Sequence, residues 1–317
     1  MQHLLAKVAK GQKTSKDLTW EEAKQAMRLM IEGTATPAQI GAFLTAMRFK
    51  SESVTELAAF TATARQYVPP VPVRSGLGVV DVPVYAGKRE TFHAILPAAI
   101  VAAAAGAVLL LHGVDGPPDR LGISSVLKLL GIPVDMTAKS VGAELEKKGF
   151  AYLDLALYHP PVSRFLEMRQ ELGVRNFFHP VARMLNPARA TSQVIGLSHP
   201  PYFEKTIEAL RMLSCPRALV IRGVEGEMAG FPVEQREREA DLIKRLLANE
   251  IQGGQRDWVL LNAAMLLYAA GKGTSITGNL GAARSALESG QAKAKLAELV
   301  AVAGSSAGNA PKVGISA

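Results

Sequence analysis

At 317 residues, 48% hydrophobic and 20% charged, the chain can bury about two domain cores, which excludes a disordered or fibrous class. Its single cysteine, Cys215, excludes an internal disulfide framework. The opening MQHLLAKVAKGQK lacks the apolar core and cleavage site of a secretory signal, so a cytoplasmic location is expected. A formal charge of +8, from 36 basic and 28 acidic residues, directs attention to anionic partners.

The chain begins with Lys7, Lys10, Lys13 and Lys16, spaced by three before any acidic residue. Trp20, Ala23, Met27 and Met30 then recur at helical spacing behind a Thr19/Glu22 capping-box pattern. Thr36-Pro37 opens a second helix with Ile40, Phe43, Leu44 and Met47 on one face, and residues 54–65 make a third. The run YVPPVPV at 67–73 cannot be helical and reads as a hinge into an α/β part. Strands are expected at 79–82, 108–111 and 218–221, and helices at 98–105, 124–130, 202–213, 236–248 and 257–270. Residues 91–114 carry no Asp, Glu, Lys or Arg and mimic a membrane span. Pro97 and Gly106 divide them into a helix and a buried strand, so no membrane association is expected. Strand and helix alternation predicts a mainly parallel sheet flanked by helices, beside a smaller all-helical N-terminal domain. The expected boundaries are 1–68 for the helical domain, 74–303 for the α/β domain and 304–317 for a disordered tail of small polar residues.

The strand–loop–helix at 79–113 has the layout of a phosphate cradle without its residues. Amides wrap phosphate where glycines allow close approach. The loop here is Pro83-Val84-Tyr85-Ala86-Gly87-Lys88-Arg89-Glu90, with one glycine, a proline that has no N–H, and a Lys-Arg pair. A second basic group comprises Arg164, Arg169, Arg175, Arg183 and Arg189. His159, His179 and His199 stand apart beside prolines and make no metal triad.

GTATPAQIGAFLTAMRFKSESVTELAAFTATAR, LGVRNFFHPVARMLNPA (172–188) and RDWVLLNAAMLLYAAGK (256–272) carry a resemblance, in order and spacing, to the anthranilate phosphoribosyltransferase family, of glycosyltransferase family 3. That resemblance implies a nucleoside phosphorylase/phosphoribosyltransferase type of fold, with a segment around 164–185 returning to the helical part. It also implies a homodimer through the helical domain. The family's glycine-threonine-glycine-glycine-aspartate loop falls on Pro83, Val84, Tyr85, Ala86 and Gly87, and its hydroxyl motif on Phe92, His93, Ala94, Ile95 and Leu96. Its lysine-histidine-glycine-asparagine motif falls on Leu111, His112, Gly113 and Val114, and its metal-binding acid pair on Met228 and Ala229.

This pattern of loss is similar to a nucleic-acid-binding, YbiB-like side branch of the fold, through YAGKRE, MRQELGVRN, LSHPPYF and GVEGE. The expectation is therefore a sequence-nonspecific nucleic-acid-binding homodimer. Its polyanion-binding residues would be Lys7, Lys10, Lys13, Lys16, Lys88, Arg89, Arg175 and Arg183. A degenerate phosphate pocket would comprise Tyr85, Gly87, His93, His112 and Gly113. No catalytic residue, metal or cofactor is expected. The alternative is a pentosyltransferase using phosphoribosyl pyrophosphate, Mg²⁺ and an aromatic acceptor such as anthranilate.

Overall fold

Three reciprocal caps organise the amino-terminal helices of the computed structural model, which describes residues 1–11, 14–85, 87–88, 91–116, 120–223 and 238–300. After α1 (Gln2–Val8), helices α2 (Trp20–Ile31), α3 (Pro37–Lys50) and α4 (Val54–Ala64) each start on a complete capping box: Thr19 with Glu22, Thr36 with Gln39, and Ser53 with Glu56. Each box satisfies two backbone N–H groups that a helix start otherwise leaves unbonded. Phe43 and Phe60 form the aromatic centre of this bundle, meeting edge to face with ring centroids 6.3 Å apart.

Five strands follow: β1 (Val79–Tyr85), β2 (Val108–Val114), β3 (Phe150–Asp154), β4 (Ser192–Leu197) and β5 (Arg217–Arg222). They pair in parallel in the order β3-β2-β1-β4-β5. This is the expected α/β class. Its helices are α5 (Ile95–Ala104), α6 (Ile123–Leu130), α7 (Ala138–Lys148), α8 (Leu155–Tyr158), α9 (Pro160–Leu172) and α10 (Phe178–Arg183). They continue with α11 (Tyr202–Met212), α12 (Glu239–Leu247), α13 (Gly254–Ala269), α14 (Ile276–Glu288) and α15 (Gln291–Val300).

The uncharged run 91–114 resolves into α5, buried along Ile95–Ala103, and β2. Among the described residues no helix is long and apolar enough to cross a membrane. Val80, Val82 and Val84 face α5, α13 and α15 on one side of the sheet, whereas Val79 and Tyr85 face the helical bundle on the other. Phe177, just before α10, stacks on Phe60 at 4.4 Å, so this later segment completes the bundle's core.

β1 runs further than expected, through Pro83 to Tyr85. Its pairing with β4 is confined to Val80–Ser192 and Asp81–Gln193, so on that side Pro83 has no ladder position in which to miss an N–H. Strands β3 and β4 were not expected. FAYLD abuts a lysine-rich helix end, and SQVIGL is short with a polar start, so neither shows the long aliphatic run of β2. Sheet order reverses direction beside β1, where β4 joins. Open parallel sheets bind ligands at such a crevice, outside the carboxyl ends of the strands.

Candidate functional site at the carboxyl edge of the sheet

Strand periodicity builds a buried polar cluster first. Asp81 and Tyr85 lie four apart on β1 and so share the bundle-facing side, and register places His112 of β2 opposite Pro83, between them. The Tyr85 hydroxyl lies 3.0 Å from His112 Nδ1, and the Tyr158 hydroxyl lies 2.9 Å from the same nitrogen and 3.2 Å from Tyr85. His112 Nε2 lies 3.1 Å from Asp81 Oδ1, close enough for electrostatic attraction though not aligned as a hydrogen bond. Asp81 Oδ2 accepts from Gln193 Nε2 at 2.8 Å. Burial pushes the proton affinities of both tyrosines up, so they stay neutral donors.

Above this cluster lies a concentration of arginines. A cavity of ≈ 390 Å³ is walled by Arg48 at the end of α3, by Arg175, Phe177, His179 and Arg183 around α10, and by Tyr202 of α11. A smaller cavity of ≈ 270 Å³ shares His179 and Arg183 and adds Tyr85, Asp115 and Arg169. Burial and the neighbouring Arg169, Arg120 and Arg48 all lower the proton affinity of Arg175. His179 is lowered to about 3 by burial and by Arg183, Arg175 and Arg169. Its Nδ1 lies 3.2 Å from the Asn176 carbonyl, which fits an Nδ1–H donor and leaves Nε2 as an acceptor. Like charges held this close signal a site built for an anion.

One group of the opposite kind faces the larger cavity. Glu52 is buried, and its Oε1 has no hydrogen-bond partner. Burial, then the charge of Glu52, raises the proton affinity of the Tyr202 hydroxyl. Arg48, Glu52, His179 and Tyr202 have no functional mark in the sequence. The available signal is the spacing of Arg175, His179 and Arg183, each four residues from the next.

The depressed His179 has a consequence for stability. Its folded-state affinity lies below that of the unfolded chain, so unfolding takes up a proton in acid. The contribution of His179 is intact above roughly pH 6.5 and is lost as pH falls towards about 3. His179→Gln should flatten that part of the pH–stability profile, as measured by urea midpoints across the window; an unchanged acid slope would remove His179 as its cause.

The structure separates the residues expected to bind polyanions. Lys7 pairs with Glu22 of α2 at 2.5 Å, so the apparent lack of a local acid is made good by folding. Lys10 and Lys16 are exposed on the bundle, and Lys13 and Arg89 lie outside the described residues. Arg175 and Arg183 are brought together in the cleft. Lys88 is 1% exposed, and its N–H donates to the Leu121 carbonyl at 2.8 Å while Leu121 N–H returns to the Lys88 carbonyl at 2.9 Å. An amide that a phosphate cradle would offer is thus used within the fold.

Of the pocket residues, Tyr85 and His112 form the buried cluster. His93 is bound by Glu239 through both its N–H, at 2.7 Å, and Nδ1, at 2.6 Å. Gly87 has φ +59°, and Gly113 is required because a β-carbon there would run into the Val84 carbonyl.

Comparison with known proteins gives the family. The helical bundle domain of the glycosyl transferase family matches residues 2–68, and its a/b domain matches 87–230. The anthranilate phosphoribosyltransferase of Leptothrix cholodnii is 32% identical over 90% of this chain and 93% of its own length. That of Methanocorpusculum labreanum is 29% identical over 95% and 98%. The crystal structure of the Thermus thermophilus enzyme superposes with a TM-score of 0.84 at 28% identity, covering 94% of this chain and 98% of that one. A Saccharomyces cerevisiae anthranilate phosphoribosyltransferase in complex with PRPP and Mg gives 0.81 at 15% identity, covering 95% and 96%.

Two expectations are corrected by these relatives. The expectation of no cofactor gives way to the Mg and PRPP found together in the yeast structure, and that of a nucleic-acid partner to relatives that are named as anthranilate phosphoribosyltransferases.

The residues that would hold magnesium differ from a ready carboxylate pair. Asp115 accepts from Ser124 N at 2.9 Å and from Ser125, and Asp154 accepts from Ala156 N at 2.8 Å, so each caps a helix. Glu239 is committed to His93. The expected acid positions, Met228 and Ala229, lie outside the described residues and bear no oxygen ligand in their side chains. The described residues therefore do not fit a magnesium site held by protein carboxylates. With two ordered domain matches and a relative 32% identical along nearly its whole length, the chain belongs to the anthranilate phosphoribosyltransferase family.

Proposed function

We propose that the protein is a pentosyltransferase that joins a phosphoribosyl group to a small aromatic amino acid of the anthranilate type. The observation that carries this reading is the two-sided chemistry of the larger cavity. Arg48, Arg175 and Arg183 suit a carboxylate, and the carboxylate of Glu52, in the cavity wall beside Tyr202, suits an amine hydrogen. Tyr202 supplies a flat wall for a ring. In the reaction, a bond forms between the amine nitrogen and C1 of the ribosyl donor. The C1–O bond breaks, diphosphate leaves with its electron pair, and the amine proton passes to solvent. The residues' part is to seat the acceptor, orient its nitrogen through Glu52 and neutralise its carboxylate.

A second reading, binding of the aromatic acid without transfer, is supported by the pairing of Lys88 with Leu121, which occupies backbone donors on the donor side. Calorimetry with anthranilate, followed by anthranilate consumption in the presence of phosphoribosyl pyrophosphate and Mg²⁺, separates the two. Consumption well above a protein-free blank supports transfer, binding without consumption selects the second reading, and absence of binding rejects both.

A further inference from the structure

Among the described residues, five that are not glycine have positive φ: Ser51, Asn186, Arg189, Ser214 and Asn249. Three of these, Asn186, Arg189 and Ser214, line a single cavity of ≈ 440 Å³. It lies at the opposite edge of the sheet from the arginine cleft, where Ala190-Thr191 leads into β4 and Cys215-Pro216 leads into β5. Its remaining wall comes from Arg65 to Pro70, where the chain leaves the helical bundle, so the cavity sits on a connection between the two parts of the protein.

The left-handed conformation costs a non-glycine residue roughly 1–2 kcal/mol, and such residues gather at ligand clamps. Asn186 tolerates it and braces the turn, its side chain accepting from Ala190 N at 2.7 Å and donating to the Ala190 carbonyl at 2.9 Å. Arg189, at φ 50°, and Ser214, at φ 55°, have no such tolerance.

The lining is cationic and contains no Asp or Glu. Arg65 is fixed by the Met184 carbonyl at 2.8 Å and by Gln193 Oε1 at 3.4 Å, and the charge of Asp81 also acts on it, so Arg189 is the less compensated of the two cations. Arg189 is exposed and has no ion pair among the described residues. Val68, Leu185 and Leu213 give the cavity an apolar floor.

We propose that this cavity is a second binding site, for a small oxyanion (carboxylate or phosphate ester) carrying a compact apolar body. The anion meets Arg189 and Arg65, and the body rests on Val68, Leu185 and Leu213.

Cys215 supplies a reporter that does not depend on activity. It is the sole cysteine, half-buried, and lines the cavity. The probes are benzoate and phenyl phosphate, and the readout is the rate at which iodoacetamide alkylates Cys215, followed by mass spectrometry of the intact chain. At ten times its dissociation constant, a protecting probe slows alkylation about tenfold, because only the unliganded fraction reacts. Arg189→Asn removes the charge while keeping a residue suited to positive φ, and should abolish protection. Arg175→Ala, which alters the other cleft, should leave protection intact. Protection by benzoate alone, phenyl phosphate alone or both, with this dependence on Arg189, supports the site and identifies the anion. No protection by either probe overturns it, as does protection that survives Arg189→Asn or disappears in Arg175→Ala.

Discussion

Arg175→Ala is expected to weaken anthranilate binding by roughly ten- to a hundredfold, the value of one charge-assisted hydrogen bond at about 1.5–3 kcal/mol. The free protein should respond in the opposite direction. Arg175 is held near Arg169, Arg120 and Arg48, which disfavour its charge. Removing it relieves repulsion that only a bound anion would otherwise compensate, so the apo protein should melt at the same temperature or slightly higher. A ligand site that stores repulsion in this way gives up stability for binding. The control is Arg164→Ala, an exposed arginine on α9 that lines neither cleft cavity; it should leave affinity unchanged. Calorimetry and a melting curve on each variant decide the matter. If Arg175→Ala binds anthranilate as tightly as the parent, Arg175 is not the carboxylate partner. If it binds less tightly but also melts well below the parent, its role is structural.

Legibility in the sequence follows the range of the interaction responsible. Capping boxes act over three residues, so the spacing of Thr19 and Glu22 is enough to mark a helix start. The aliphatic run of β2 and the small-residue helix α5 are similarly local. The true length of β1 is hidden because Pro83 resembles a strand end. Its tolerance depends on where β4 stops pairing, which is a tertiary fact. The apparent freedom of Lys7 misleads for the same reason: Glu22 meets it only after α1 and α2 fold. The cleft is half visible. Arg175 and Arg183 are evident as a basic group, but Arg48, Glu52 and Tyr202 come from segments on either side of that group in sequence. Lys88 resembles a solvent-facing cation above the sheet, and a backbone bridge to Leu121 buries it instead.

Asp81→Ala is expected to lower folding stability by about 2–4 kcal/mol, because it leaves one buried donor without an acceptor at about 1–3 kcal/mol, removes the charge facing His112 and opens a small void besides. The donor is Gln193 Nε2, now 2.8 Å from Asp81 Oδ2; the His112 ring, whose Nε2 faces Asp81 Oδ1 at 3.1 Å without hydrogen-bond alignment, loses an electrostatic partner. Asp81, His112 and Gln193 are all fully buried, so bulk solvent does not replace the lost partner. At this chain length such a loss corresponds to roughly 5 °C in melting temperature. Asp81→Asn retains the shape and one acceptor oxygen, so its cost should be clearly smaller. Tyr85→Phe offers an independent check, because Tyr158 still reaches His112 Nδ1 at 2.9 Å and the cluster keeps one hydroxyl partner. Its cost alone should stay near 1 kcal/mol, roughly the typical value of one hydrogen bond. Combined with Asp81→Ala it should cost less than the sum, since a histidine already released from Asp81 can turn away from the tyrosines. Additive losses would mean that the two ends of the cluster act separately. A melting temperature for Asp81→Ala equal to that of the parent would mean that the cluster contributes nothing to holding β1, β2 and β4 in register beneath the cleft.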